Sequence, residues 1–165
     1  MPTTYEPIAT TTLGSAQSSV TFSSISGSFT DLVLICNVAI SSGTGNSKLQ
    51  FNSDTASNYS QTSLEGTGSS AVSGRYSNQS QIYLEGSGFL NTTFQNIKII
   101  QVMNYANATT NKTVLVRNGG AGAGVDAIVG LWRKTPEAIT SLKIETTAST
   151  FVSGSTFTLY GIKAA

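Results

Sequence analysis

The sequence predicts an all-β protein, an antiparallel two-sheet sandwich of about ten strands with a jelly-roll-like arrangement. Three observations support this fold class. Val, Ile, Thr, Tyr and Phe dominate the apolar segments, and clusters of Gly, Ser and Asn separate them. No stretch of a dozen residues repeats apolar side chains at helical spacing. The segments are also joined without the long helical crossovers that parallel strands require. A closed antiparallel barrel is the second architecture that fits the pattern.

The predicted strands follow one another along the whole chain. The strongest covers residues 31–40, where alternate residues from Leu32 to Ile40 are apolar and share one face. Val33 and Ile35 keep part of the opposite face apolar, which is typical of a central strand covered on both sides. The predicted segments are residues 6–13, 19–24, 31–40, 48–51, 59–64, 75–84, 96–104, 112–117, 126–132, 139–146 and 156–163.

The first eight residues are predicted to form an extended arm, so that residues 9–165 make one sandwich domain. Proline restricts the residue before it to extended backbone, and a short terminal segment has little reason to fold alone. Our hypothesis is that packing on a neighbouring molecule orders this arm. Pro2, Tyr5 and Pro7 are therefore interface candidates.

The absence of histidine and the single cysteine exclude several classes of active site. Ser-His-Asp and Cys-His nucleophilic sites, His-ligated zinc or haem and an internal disulfide all need residues that this chain lacks. The thiol of Cys36 falls on the inward face of the strongest strand, where an unreactive buried thiol is the expectation. The sequence predicts a protein that is not an enzyme and that has no cofactor and no metal site.

The charge pattern argues against nucleic-acid and membrane partners. Only 10% of the residues are charged, against about 25% in typical proteins, and nine basic residues face eight acidic ones. The basic residues are scattered along the sequence, whereas a nucleic-acid-binding face usually shows a cluster or stripe. The N-terminus shows no signal peptide, and no apolar run reaches the ~20 residues of a membrane span. We expect synthesis in the cytoplasm of the cell that expresses the protein.

A local repeat presents the only matched pair of carboxylates. Residues 60–68 recur as residues 80–88, with Glu65 and Glu85 at equivalent positions before a glycine turn. Two acids on neighbouring strand ends would suit a glycosidase. Two solvated charges at the rim are the favoured interpretation, because nothing in the sequence would raise the pKa of one acid.

The glycine-rich segment at residues 118–124 has two interpretations. It is similar to a dinucleotide-binding loop, but a strand follows it where a helix N-terminus would be needed for the pyrophosphate. A turn between two strands is therefore favoured. Such a turn lets backbones approach closely, which makes Gly120 and Gly122 candidates for contact with a neighbouring subunit.

The oxygen-rich segment at residues 52–58 could in principle hold calcium. Its spacing does not match an EF-hand loop, and it carries a single carboxylate, that of Asp54. Asx turns, in which a short polar side chain bonds the backbone two residues on, explain it better.

Trp132, the only tryptophan, ends a predicted strand next to Arg133. It could be a sugar-stacking platform, an interface anchor or a lid on the sandwich, and the lid is favoured. We keep Trp132 and Arg133 as interface candidates.

Four segments carry a resemblance that spans nearly the whole chain. They are Tyr-Glu-Pro-Ile-Ala at 5–9, Phe-Asn-Ser-Asp-Thr at 51–55 with Asn-Tyr-Ser at 58–60, Ala-Ile-Val-Gly-Leu-Trp-Arg at 127–133, and Ser-Thr-Phe-Thr-Leu-Tyr-Gly-Ile at 155–162. In this order they resemble small virion structural proteins, head decoration (cement) or tail-associated, of tailed bacteriophages that infect aquatic bacteria and cyanobacteria. The resemblance implies a jelly-roll-like sandwich that assembles on the particle, and it supplies no catalytic residues.

The function that the resemblance implies is a non-enzymatic capsid decoration or cement protein on the virion surface. Its partners would be the major capsid protein, other virion proteins and further copies of itself, with a trimer as the expected homo-oligomer. The alternative is a tail-fibre or receptor-binding module that recognises host cell-surface glycan. In that alternative, Tyr59, Tyr76, Tyr83 and Trp132 would form an aromatic sugar platform.

Overall fold

The computed structural model describes residues 4–86, 90–121 and 124–163, which contain twelve strands and no helix. The prediction of an all-β antiparallel sandwich is confirmed, with twelve strands in place of about ten. The strands are β1 (Tyr5–Thr12), β2 (Ser19–Phe22), β3 (Asp31–Val38), β4 (Ser47–Phe51), β5 (Tyr59–Gly66), β6 (Ala71–Gln79), β7 (Ile82–Tyr83), β8 (Asn96–Met103), β9 (Lys112–Gly120), β10 (Gly124–Trp132), β11 (Leu142–Thr146) and β12 (Thr156–Ile162).

The strands form two sheets of unequal size. The large sheet has eight strands in the order β1-β12-β3-β8-β9-β10-β5-β6, and the small sheet has four in the order β2-β11-β4-β7. Every pairing is antiparallel. Both sheets keep two edge strands, so the described strands do not close into the barrel that was the second expectation. The eight-and-four division is also less even than in an eight-stranded jelly roll.

A single hydrophobic core lies between the two sheets. β3 supplies its centre, because its inward residues Leu32, Leu34, Cys36 and Val38 are all at most 1% exposed. β4, β7 and β11 of the small sheet contribute Leu49, Ile82 and Ile144, among others, to the same cluster. The small sheet packs on one face of the large sheet. The opposite, outer face of the large sheet has no layer of described residues over it.

The chain begins with a strand where an arm was expected. Residues 5–8 belong to β1, in which Tyr5 pairs with Ile162 and Pro7 with Tyr160, with a register shift between Pro7 and Ala9. Pairing with β12 of the same chain orders this segment, so residue 8 is not a boundary between an arm and a domain. Pro2 lies outside the described residues.

Candidate functional site

The outer face of the large sheet exposes a continuous set of apolar side chains. The most exposed are Leu64 at 63% and Val125 at 62%. We call the set the outer patch, and its members are Ile35, Leu64, Ile97, Ile99, Leu115, Val125, Val129 and Leu131. A contiguous exposed apolar area on a protein surface is a mark of an interaction site, whereas single exposed apolar residues are ordinary.

Strand register assembles the outer patch from five neighbouring strands. One row across the sheet runs Leu64, Ala127, Arg117, Ile99 and Ile35, on β5, β10, β9, β8 and β3. Four strand spacings make the row about 19 Å wide, and six residue steps make the patch about 20 Å long. The resulting footprint is about 400 Å². It includes Arg117 and a few other polar side chains, and its size is within the range of the largest surface patches on ordinary monomers, which are often functional.

The outer patch is shallow. A depression of about 480 Å³ over β10 is lined by Leu64, Ile99, Leu115 and Val129, with other residues of the same sheet. A second, of about 570 Å³, lies toward the β5–β6 border around Val125. Side chains of the large sheet form both, so this surface suits a broad contact with another macromolecule better than enclosure of a small ligand.

The outer face of the small sheet has the opposite character. Its β11 residue Glu145 lies 2.5 Å from the Lys143 ammonium and 3.5 Å from that of Lys48 on β4. The two lysines lower the pKa of the Glu145 carboxyl, chiefly through its hydrogen bond with Lys143. The charges on this face are therefore ion-paired with one another, with one lysine in excess, which leaves the outer patch as the candidate apolar interaction surface.

Behind the outer patch, the inner face of the large sheet holds a buried charged cluster. Glu85 is 2% exposed, and its carboxylate accepts hydrogen bonds from the backbone N–H and the hydroxyl of Ser47, both at 2.7 Å. The same carboxylate forms an ion pair with the fully buried Lys98, which also donates to Asn96 Oδ1 at 2.5 Å. The expectation that Glu85 is a solvated rim charge is wrong, because the chain after β7 folds back over the inner face.

Asp126 extends this cluster on β10. Its Oδ2 accepts from the Gly86 N–H at 3.1 Å and from Asn118 Nδ2 at 2.9 Å. Its Oδ1 and the Oδ1 of Asn118 are buried with no hydrogen-bond partner. Burial raises the pKa of the Asp126 carboxyl, and the nearby Glu65 and Glu85 charges act in the same direction.

These carboxylates are not arranged as a glycosidase pair that meets substrate. Both oxygens of Glu85 are engaged inside the protein, whereas the half-buried Glu65 accepts from the Ser63 hydroxyl at 2.9 Å. In residues 4–86, 90–121 and 124–163, no group of three or more His, Cys, Asp or Glu side chains is placed to hold a metal ion. Sequence reasoning missed Asp126 and Lys98, although both occupy inward positions of alternating strands.

Trp132 belongs to the core, which agrees with its favoured interpretation as a lid on the sandwich and excludes the alternative of an exposed interface anchor. It is 2% exposed, with ring centroids 5.6 Å from Phe51 and 6.3 Å from Tyr59. Its indole N–H donates to Asp54 Oδ2 at 2.7 Å. Asp54 Oδ1 accepts from the Ala56 N–H at 3.0 Å, which confirms the predicted Asx turn.

The remaining interface candidates lie at different borders of the large sheet. Tyr5 and Pro7 are exposed on the β1 edge, and Arg133 is exposed where β10 ends beside the outer patch. Gly120 closes the predicted β9–β10 turn, and a Cβ on it would lie 2.9 Å from Asn96 Nδ2. The close approach at Gly120 is therefore made by this chain itself. Gly122 lies outside the described residues.

The cysteine prediction is confirmed. Cys36 is a free thiol with no exposure, and burial raises its pKa to about 12, so it carries no reactive thiolate at neutral pH.

Comparison of the chain with protein-family models, curated proteins and solved structures found no match in any of the three. No helix in the described part of the chain is long and apolar enough to cross a membrane.

Proposed function

We propose that this chain is a bacteriophage virion structural protein, a non-enzymatic decoration or cement protein that attaches to the head through the outer patch. The observation that carries the proposal is the outer patch itself, a mainly apolar surface with a footprint of about 400 Å² and no layer of described residues over it. The resemblance of the four sequence segments to phage virion proteins supplies the biological setting.

The size of the outer patch suits a repeated contact. A stable protein interface buries about 800 Å² on each partner, roughly twice the area of the patch. One such contact is weak, but many copies on an ordered shell, or copies linked in a homo-oligomer such as a trimer, would hold by multivalency. The major capsid protein is the proposed partner, and the capsid surface is the proposed location.

Quantification of the protein in purified particles of the phage that encodes it tests this proposal. We expect hundreds of copies per particle, and absence from particles would contradict the proposal. Purified protein added back to particles that lack it should bind, whereas Leu115→Asp should bind far more weakly. Thr21→Asp, which adds the same charge at an exposed position of the small sheet, is the matched control.

A receptor-binding module that recognises glycan is the second proposal, and one observation favours it. The ring centroids of Tyr76 and Tyr83 lie 6.5 Å apart, beside a depression of about 360 Å³ that Gln79 and Asn46 also line. Tyr59 and Trp132, the other two members of the expected aromatic platform, are buried. A glycan array that shows binding lost in Tyr76→Ala, with only a handful to a few dozen copies per particle, would support this alternative.

A further inference from the structure

Three exposed arginines lie on the same face as the outer patch. Arg117 is inside it, because its ladder partners on the two sides are Ala127 and Ile99. Arg75 and Arg133 both line a depression of about 470 Å³ at the patch border near β6. Arg75 and Arg117 are three strands apart across the sheet and two residues apart along it, which places their backbones about 16 Å from each other.

These arginines have no acidic partner among the described residues. Each ion pair there uses a lysine, and none uses an arginine. Arg133 donates to the neutral Asn78 side chain at 2.9 Å and to the Tyr59 carbonyl at 3.5 Å. Arg117, at the centre of the patch, and Arg75, at its border, have no hydrogen-bond partner in the described part of the chain.

The eight acidic residues of the chain are, by contrast, all engaged elsewhere. Four pair with lysines, and four accept hydrogen bonds from neutral groups. Only Asp31 lies on the outer face, at the far end of β3, where it binds Gln101 and the Asn104 N–H. The lysine-paired acids are Glu6, Glu85, Glu137 and Glu145, and the others are Asp31, Asp54, Glu65 and Asp126.

We infer that the outer patch binds the surface of a different protein, one that presents carboxylates to Arg75, Arg117 and Arg133 among apolar side chains. Arginine holds a carboxylate through two parallel hydrogen bonds and is enriched at protein interfaces, where lysine is depleted. In this chain the lysines form the internal ion pairs, whereas the arginines lie on the outer face without an acidic partner among the described residues. This is the distribution expected of an interface. The inference deepens the proposed function, since it specifies the chemistry of the partner that the decoration protein would contact.

A second copy of the same face is a poorer occupant. Two outer patches in contact would bring arginines toward arginines, because this chain has no free acidic side chain to offer there. Nucleic acid would match the arginines, but the apolar side chains between them have no counterpart on a phosphate backbone.

The inference can be tested on the isolated protein with a designed peptide. In an extended peptide that repeats Leu-Ser-Glu-Ser, leucine and glutamate share one face, and successive glutamates lie about 13 Å apart. This spacing is about 3 Å shorter than the backbone separation of Arg75 and Arg117, a difference that two long arginine side chains can span. The control peptide has glutamine in place of each glutamate, which keeps the shape and removes the charge. Amide chemical-shift titration gives both the affinity and the surface that is contacted.

We expect the glutamate peptide to shift amides of β8, β9, β10 and β5, and to bind at least about tenfold more tightly than the glutamine peptide. Arg117→Gln and Arg75→Gln should each weaken binding by about fivefold to tenfold. Lys143→Gln, a loss of charge on the small sheet, is the matched control and should leave affinity unchanged. All three positions are at the surface, so the variants should keep the wild-type spectrum elsewhere.

Several results would overturn the inference. With the peptides, these results are equal affinity for the two, no binding of either, or binding that survives both arginine substitutions. A concentration-dependent dimer whose contact is the outer patch would favour a second copy as the occupant. Tighter binding of oligothymidylate than of the glutamate peptide would favour nucleic acid. A protein that fails these tests yet occurs in hundreds of copies on particles would contradict only the partner chemistry. One that passes them but is absent from particles would contradict only the proposed function.

Discussion

The ion pair of Glu85 and Lys98 shows how a single buried charge depends on its partner. Neither side chain has any exposed surface. We predict that Lys98→Met lowers the free energy of unfolding by about 3–5 kcal/mol, because it leaves the Glu85 carboxylate buried without its cation. Urea denaturation at pH 7 measures this loss.

The double variant Glu85→Gln with Lys98→Met separates the cost of an unpaired charge from the cost of lost packing. We expect it to recover most of the stability that Lys98→Met loses, since a buried ion pair can often be replaced by neutral groups at little cost. A double variant that is less stable than Lys98→Met would show that the pair contributes more than mutual neutralisation.

The Asp126 carboxyl makes stability depend on pH. Its pKa is raised in the folded state by burial, so the folded protein binds a proton more tightly than the unfolded chain. This contribution therefore favours folding at pH values below the unfolded pKa of about 3.8, and it is lost as pH rises through the raised pKa. At neutral pH the buried Asp126 carboxylate lowers the free energy of unfolding.

We predict that Asp126→Asn raises the free energy of unfolding at pH 7 by about 1 kcal/mol, the net worth of one hydrogen bond. The new amide can donate to Asn118 Oδ1, which has no partner in the native protein. Urea denaturation from pH 4 to pH 8 should show a flatter pH profile than the wild type. An unchanged slope across this range would assign the pH dependence to other groups.

At the scale of elements, one glycine allows β10 of the large sheet to approach β7 of the small sheet closely. Gly130 on β10 faces β7, and a Cβ on it would lie 2.7 Å from Ile82 Cδ1 and 3.1 Å from its Cγ2. We predict that Gly130→Ala lowers the free energy of unfolding by about 1–3 kcal/mol through overpacking. Gly14→Ala, where no atom lies within 4 Å of the new Cβ, is the control and should change stability little. Equal effects in thermal unfolding would contradict the proposed contact.

Local pattern predicted most strands, but it could not assign them to sheets. The segment predicted as one strand over residues 75–84 is β6 in the large sheet and β7 in the small sheet. The backbone changes direction near the end of β6, where Asn78 has a φ of 55°, and residues 80 and 81 connect β6 to β7. The alternation of apolar and polar residues extends over a few positions and predicts which face of a strand is buried. Strand pairing, such as that of β3 with β12, joins residues more than a hundred positions apart and cannot be predicted from that alternation.

The outer patch could not be predicted for the same reason. In β10, Val125, Val129 and Leu131 alternate with inward residues such as Ile128, so both faces of the strand are apolar. This pattern normally indicates a strand covered on both sides. Only the topology shows that the small sheet covers one side, which turns an apparent core strand into an interaction surface.

At the scale of the whole molecule, the two outer faces divide the work of the surface. The small sheet carries Glu145 paired with two lysines, whereas the large sheet carries apolar residues and arginines that have no acidic partner among the described residues. Because the two outer faces differ in this way, a partner that matches the large sheet would hold the protein in one orientation, as the proposed attachment to a regular shell requires.

The β1 edge gives a prediction about the N-terminal segment. Deletion of residues 1–8 removes the pairing of Tyr5, Glu6 and Pro7 with β12, together with the 2.9 Å ion pair of Glu6 and Lys163. We predict a folded protein whose free energy of unfolding falls by about 1–3 kcal/mol and which self-associates more, because backbone groups of β12 become an open edge. Urea denaturation and size-exclusion chromatography over a concentration series measure both effects.

Lys163→Gln, which removes only an exposed ion pair, should cost less than about 1 kcal/mol and cause no association. A deletion variant with unchanged stability and no association would show that β1 is dispensable to the sheet, and its role would then have to be sought in contacts with a neighbour.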